Sequence, residues 1–328
     1  MQIPSLSKRH KLYVLFVGTS LIIVLSWFFW FQKTSMAIRN FNNESQVVEE
    51  KNYRIEKPVK ILFVGDMMFD RHIREISETK KDYCYPLEKV TEFLNSFDAV
   101  VGNNEGAITS NKSISANTKP GEKNNFYFTF DPQITSCYQK NNIEIVSLGN
   151  NHSTNFGSEG VVQTTKNLSD ATVGYFGDPR AEENTAIYKN LNEKVIAFIS
   201  YNYSVKFDST ISYIKTAKEK ADIVVVYAHW GTEYAQTSNA MQKGLAHAFV
   251  DAGADVVIGM HPHVIQEEEI YKEKHIFYSL GNFVFDQYFS EPTKKGLGVA
   301  MEIDVNNELR FERYHFQNAS GQVMLLEN

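Results

Sequence analysis

Val59–Asp66 reads VKILFVGD, an apolar, β-branched and aromatic run that stops at a glycine and an acid. Bounded by Pro58 and by Gly65-Asp66, it predicts a buried strand with a carboxylate at its carboxyl end. The same figure recurs along the chain. Short runs at Ala99–Val101, Ile143–Leu148, Val195–Ser200, Ile223–Tyr227 and Asp255–Ile258 alternate with helical stretches at Pro86–Asn95, Pro132–Lys140, Ser158–Leu168 and Asn239–Ala252. That alternation is the signature of βαβ units, so the expected class is α/β with a mostly parallel sheet. Ser238 or Asn239 as cap and Gly253 as stop make the last helix the best marked. Beyond it the pattern changes. Val264–Tyr271, His275–Leu280, Val299–Val305 and Leu309–Phe316 read as antiparallel strands joined by short turns such as Asn306-Asn307.

The residues just past the strands point to chemistry. AVVGNNE ends in Glu105, EIVSLGNNH in Asn151 and His152, VVVYAH in His229, and DVVIGMHPH in His261 and His263. Only Val195–Ser200 ends without such a residue. In open α/β sheets, sites form beyond the carboxyl ends of the strands. Each residue alone has a plainer explanation: Asp66 as a cap, Glu105 as a solvated acid, Asn151 as a turn residue, His152 or His229 as a structural imidazole. His261-Pro262-His263 is sharper. Residues i and i+2 of an extended segment face one side, and Pro262 fixes φ between them. The conjunction argues for a metal site. Imidazole with carboxylate suits Mn, Fe or Zn better than Ca, and such a cluster can hold two metals that activate water and clamp a phosphate. Trp230 and Glu233, in the HWGTEY stretch directly after a strand, are expected on the loop lining this pocket. GxSxG, GxxxxGK[ST] and CxxC are all absent, which argues against a serine elbow, a P-loop NTPase and a thiolate zinc site. Cys84 and Cys137 read as two buried thiols or as one disulfide.

With 328 residues, 43% of them hydrophobic, the chain can build one sizeable core and a short appendage. A formal charge of −6 leaves no basic footprint for nucleic acid. Leu12–Phe31 reads LYVLFVGTSLIIVLSWFFWF without a charge. Roughly 20 apolar residues at about 1.5 Å each span a bilayer core. Lys8, Arg9 and Lys11 precede it and predict a cytoplasmic N-terminus. The expected organisation is a basic cytoplasmic segment at 1–11, a transmembrane anchor at 12–31, a polar tether at 32–57 and a folded extracytoplasmic domain at 58–328. The protein is then a single-pass protein of the cell membrane. A cleaved signal peptide is the competing reading, but the apolar run is long for one and Ser35-Met36-Ala37 is a poor cleavage site.

ILFVGDMMFDR, VVGNNEGAIT, VSLGNNHSTNFG, VVVYAHWGTEY, GADVVIGMHPHVIQ and FYSLGNFVFDQ occur in this order between residues 58 and 290. Together they resemble the CapA/PgsA family of capsule and poly-γ-glutamate synthesis proteins. The resemblance implies a calcineurin-like metallophosphoesterase-type sandwich, two β-sheets flanked by helices. It also implies a membrane-anchored domain that makes or exports an anionic surface polymer, with other membrane-bound synthesis or export subunits as partners and the polymer or its precursor as ligand. An extracytoplasmic metal-dependent phosphoesterase is the alternative activity. Carried onto this chain, the metal ligands are Asp66, Glu105, Asn151, His229, His261 and His263. His152 is the general acid or phosphate contact, and Asn282 joins Trp230 and Glu233 as a substrate contact. The chain departs from the family pattern at Asn155 (usually Asp), Met260 (usually His) and Asn104 (usually Leu). Phosphoesterases proper also carry a histidine where Met68 stands.

Overall fold

A computed structural model describes residues 57–180 and 186–327, together with Trp27, Trp30 and Lys33. The rest of the expected anchor, and the tether up to residue 56, lie outside the described residues. Among the described residues no helix is long and apolar enough to cross a membrane. Contacts divide the chain after Glu56, and the unit from Lys57 onward carries the fold.

Its strands are β1 (Val59–Met67), β2 (Ala99–Asn104), β3 (Ala107–Ile108), β4 (Thr129–Phe130), β5 (Ile143–Ser147), β6 (Gly174–Phe176), β7 (Ala186–Leu191), β8 (Lys194–Asn202), β9 (Ile223–His229), β10 (Val256–Met260), β11 (Glu268–Tyr271), β12 (Lys274–Phe277), β13 (Asn282–Val284), β14 (Lys295–Ile303), β15 (Leu309–Ala319) and β16 (Gln322–Leu325). One sheet runs β16-β15-β14-β1-β2-β5-β6, with β13 also paired to β1; a second runs β11-β12-β10-β9-β8-β7. β1, β2, β5 and β6 are parallel, as are β8, β9, β10 and β12. The antiparallel C-terminal strands join the first sheet at β1 through β14.

Period-2 alternation builds the layers. Leu62, Val64 and Val100 face one cluster, against Ile73, Ile134 and Leu168 of the outer helices. Their neighbours Ile61, Phe63 and Val101 face the opposite way and meet Phe198, Val225 and Ile258 of the second sheet. The Phe63 ring lies 6.4 Å from Phe198 across this interface. On the far side of the second sheet, Ile199, Val224 and Val226 pack on Ile214 and Phe249. Those two belong to the helices Phe207–Lys218 and Ala240–Ala252. The result is a mixed α/β stack of two sheets with helices on both outer faces.

The well-marked helix forms as its ends dictate. Asn239 Oδ1 accepts from the Gln242 amide at 2.9 Å, the Gln242 side chain accepts from Asn239 N at 3.0 Å, and Gly253 closes the helix at φ 119°. Pro86–Asn95 is instead a 3-10 turn, Tyr85–Val90, followed by one α turn, Thr91–Leu94. The helix Phe207–Lys218 carries Thr210, Ile211, Ile214 and Thr216, residues of weak helix propensity, so its pattern is masked in the sequence. Packing of Ile214 and Ala217 on the second sheet holds it. Cys84 and Cys137 are free thiols packed with the first cluster.

Candidate metal centre

Parallel register brings the strand ends together. Asp66 of β1 lies beside Asn103 of β2 and Asn282 of β13, and His229 of β9 beside Met260 of β10. Asp66 is fully buried. It accepts from Asn103 Nδ2 at 2.8 Å and from His261 N at 3.3 Å, and His263 Nδ1 stands 3.3 Å from it. His263 Nδ1 also donates to Asn282 Oδ1 at 2.9 Å, while its Nε2 is 3.6 Å from Glu105 Oε1. His152 Nε2 approaches the same Glu105 oxygen at 3.8 Å. One ligand atom each from Asp66, Glu105 and His263 lie within 4.8 Å of one another, and so do Glu233, His261 and His263. His263 is common to both groups.

The His-Pro-His segment reaches this position by a different route from the expected one. It is not extended: His261 has φ 97° and His263 φ 56°. Two non-glycine residues in the left-handed region are costly, by about 1–3 kcal/mol each. The turn they make, with Pro262 O accepting from Tyr234 N at 2.8 Å, aims both rings inward. His229 lies next to them, its ring centroid 4.7 Å from that of His261. It belongs to neither triad. Its Nε2 donates to Asn151 Oδ1 at 2.8 Å and its Nδ1 faces Asn103 Nδ2 at 3.4 Å.

His152 is held in one orientation. Nδ1 points at two acceptors, Phe126 O and Asn155 Oδ1, each at 3.1 Å. The orientation of the Asn155 amide is itself fixed, because Oδ1 also accepts from Phe128 N at 2.9 Å. Nδ1 therefore carries the hydrogen, and Nε2 presents a lone pair toward Glu105. Burial lowers the His152 pKa to about 4, against an opposing hydrogen bond to Asn155. Burial also lowers His229 and His261, with neighbouring imidazoles acting in the same direction. The acid pair divides its charge. Burial, then Asp66, push Glu105 well above the carboxylate range. Burial acts upward on Asp66 too, but the His263 hydrogen bond and charge outweigh it and hold Asp66 ionised. Burial pulls His263 down, yet Glu105 and Asp66 raise it to about 9.

These residues fit a divalent cation. Glu105 Oε1 and His261 Nδ1 are buried and lack a hydrogen-bond partner. An orphaned carboxylate oxygen in the interior costs about 1–3 kcal/mol or more, so it marks a missing ligand or a functional constraint. Among the described residues the two fully buried carboxyl groups share one raised imidazole, His263, as countercharge, a role a metal ion fills with higher charge.

Two expected substrate contacts are corrected. Trp230 is fully buried in the outer cluster of the second sheet, stacked on Phe249 at 6.2 Å, with Nε1 donating to Tyr278 O at 2.9 Å. Period-2 alternation from His229 turns it to the helix side. Asn282 is also fully buried; it orients His263 and donates to Gln287 Oε1 and Thr293 O. Glu233 and Asn151 are exposed beside the histidines.

Spacing along the chain assigned no role to Asn103 or Arg71. Asn103 Nδ2 reaches Asp66, Glu105 at 3.3 Å and His229, and its Oδ1 accepts from Asn150 Nδ2 at 3.0 Å. Its place two residues before Glu105 on a strand was the available signal. Arg71 pairs with Asp286 and lies over the rings of Phe128 and Phe285, at 5.0 and 5.4 Å. Those rings in turn pack on His152 and His263, at 4.4 and 4.8 Å. No spacing rule reveals such a brace.

The family described as "Bacterial capsule synthesis protein PGA_cap" matches residues 60–287. The chain is 30% identical over 311 residues to the capsule biosynthesis protein CapA of Bacillus anthracis, covering 87% of this chain and 71% of that protein. It is 32% identical over 273 residues to the PGA biosynthesis protein CapA of Bacillus subtilis (strain 168), covering 76% and 69%. A crystal structure of a hypothetical protein from Thermus thermophilus superposes with a TM-score of 0.50 at 15% identity, covering 80% of this chain and 100% of that one. That likeness speaks to the fold.

Proposed function

The chain belongs to the PGA_cap family of bacterial capsule synthesis proteins, and from that premise we propose that it acts in the synthesis or export of an anionic surface polymer of the poly-γ-glutamate type. In this reading Leu12–Phe31 anchors it in the cell membrane and the domain from Pro58 works outside the cytoplasm, beside other membrane-bound subunits. The fold is of the calcineurin-like metallophosphoesterase type. Its working part is the centre at the strand ends. Asp66, Glu105 and His263 would hold one divalent ion (Mn, Fe or Zn), with Glu233 and His261 around the shared His263, and His229 and Asn151 adjoining. A divalent ion there supplies Lewis-acid polarisation of a substrate oxygen. Asn282 fixes the tautomer and direction of His263. Asn103 ties Asp66, Glu105 and His229 into one unit. The single observation that carries the reading is the buried, unpartnered Glu105 Oε1 between His263 and His152.

A second reading, a phosphoesterase outside the cytoplasm, draws on His152. With Nδ1 anchored and Nε2 free, its neutral ring accepts a proton at Nε2, and its protonated ring returns one to a leaving oxygen. Metal content of the full chain, by elemental analysis, tests the centre. Near-stoichiometric divalent metal that is lost in Asp66→Asn is expected; equal metal in both proteins would refute the assignment. Turnover of bis(p-nitrophenyl) phosphate, against polymer made in cells carrying His152→Ala, separates the two activities.

A further inference from the structure

The strand whose end the sequence left without chemistry, β8, opens onto a cavity of about 690 Å³, within the usual span of ligand sites. Asn150, Asn151, Arg180, Asn202, Lys206 and Ser209 line it. It is continuous with the metal centre through Asn151, whose Oδ1 meets His229. Three features give it one chemical preference.

The helix Phe207–Lys218 begins at its wall, and no side chain caps that N-terminus. Its first-turn amides and the positive end of its dipole are therefore turned toward the space. Asn202, only 9% exposed, commits Oδ1 to Ser204 N at 2.8 Å, and its Nδ2 has no partner among the described residues. The cations are Lys206, exposed at the cap position, and Arg180. Arg180 uses Nε and Nη2 on Asp178, at 3.0 and 2.5 Å, and Nη2 also donates to Thr165 Oγ1; Nη1 has no partner among the described residues. Among the described residues Asp178 is the one acid on the lining, and it is spent on Arg180. Asp208, in the first helical turn, does not line the cavity. Apart from the Ser209 hydroxyl, which can donate or accept, every uncommitted polar group named here is a donor.

We propose that this cavity is an oxyanion subsite that seats a carboxylate or phosphate of the chain acted on at the neighbouring centre. The attribution of that oxyanion to a polymer rests on the capsule reading above; the anion site itself does not. Lys206 supplies the long-range attraction, the helix N-terminus and Asn202 Nδ2 supply directed hydrogen bonds, and Arg180 Nη1 closes the far side.

Calorimetry on the full chain tests this with two probes, a short glutamate oligomer and inorganic phosphate, at low and high salt. Wild type binds, more weakly as salt rises. Lys206→Glu weakens binding about tenfold or more, and Lys206→Arg restores it. Lys206 is exposed, so an unchanged thermal melt of Lys206→Glu separates lost binding from lost folding. Preference for the oligomer assigns a polymer carboxylate, and preference for phosphate assigns a phosphoryl group. In His261→Ala, which removes a centre ligand, the roughly tenfold difference between Lys206 and Lys206→Glu persists, so failure of the metal reading leaves the Lys206 dependence standing. Failure of both probes to bind wild type, or equal affinity in Lys206→Glu, overturns the subsite.

Discussion

His263 makes the metal-free chain sensitive to alkali. Its pKa rises from the ordinary 6.5 to about 9, against burial, because Glu105 and Asp66 favour the imidazolium. The folded state therefore holds a proton that the unfolded chain releases above pH 6.5. That contribution is fully present below 6.5 and is lost as pH rises through about 9. A rise of this size corresponds to about 3 kcal/mol. The Asp66–His263 interaction is counted once in that figure. Burial and then Asp66 raise Glu105 too, so its own titration adds a fall in the same direction above its ordinary pKa of 4.5. Urea unfolding of the chelator-treated full chain at pH 6.5, 7.5 and 9 should show stability falling by about 2–3 kcal/mol. Divalent metal reverses the picture, because a ligating imidazole must be neutral. Apparent metal affinity should rise about tenfold per pH step of one below pH 9, with proton release in calorimetry. A flat stability profile between pH 6.5 and 9, or the same fall in His263→Asn, would refute the charge assignment.

On the acid side, His152 holds a pKa of about 4 through burial, so the unfolded chain binds its proton first; stability is present above 6.5 and lost as pH falls toward 4. Asn155→Asp should place a carboxylate against Nδ1, raise the His152 pKa and so shrink that acid loss, read from acid unfolding curves and from an imidazole NMR titration moved to higher pH; an unmoved titration would mean the pair is not in contact in solution. Asn282→Ala should lower metal affinity about 10- to 100-fold with little loss of helix signal, since it directs His263 by a hydrogen bond and is not itself a ligand; unchanged affinity would refute its positioning role. Trp230→Ala should destabilise by about 3–5 kcal/mol, seen as an earlier melt, with metal stoichiometry retained under native conditions; a near-neutral melt would contradict its core position.

Strand positions and strand ends were legible because their physics is local. A buried strand needs an unbroken apolar run, and a parallel sheet brings the residues just past such runs to one edge, so Asp66, Glu105, His229, His261 and His263 could be gathered without coordinates. The cap at Asn239 and the stop at Gly253 were equally local, each set by hydrogen bonds within one turn. Tertiary structure decided the rest. Trp230 follows His229 directly, and only the pleat and the position of the helix Ala240–Ala252 determine that one faces the centre and the other the core. Asn282 lies far along the chain from Asp66 and becomes its neighbour only through the β1–β13 pairing. The left-handed turn at His261 and His263 replaces the extended segment that spacing suggested, since packing around Tyr234 and Phe285 outweighs local backbone preference. Donor-rich space beyond β8 had no motif at all: a cavity is a relation between a helix start, a loop and a strand end that are set side by side by the fold.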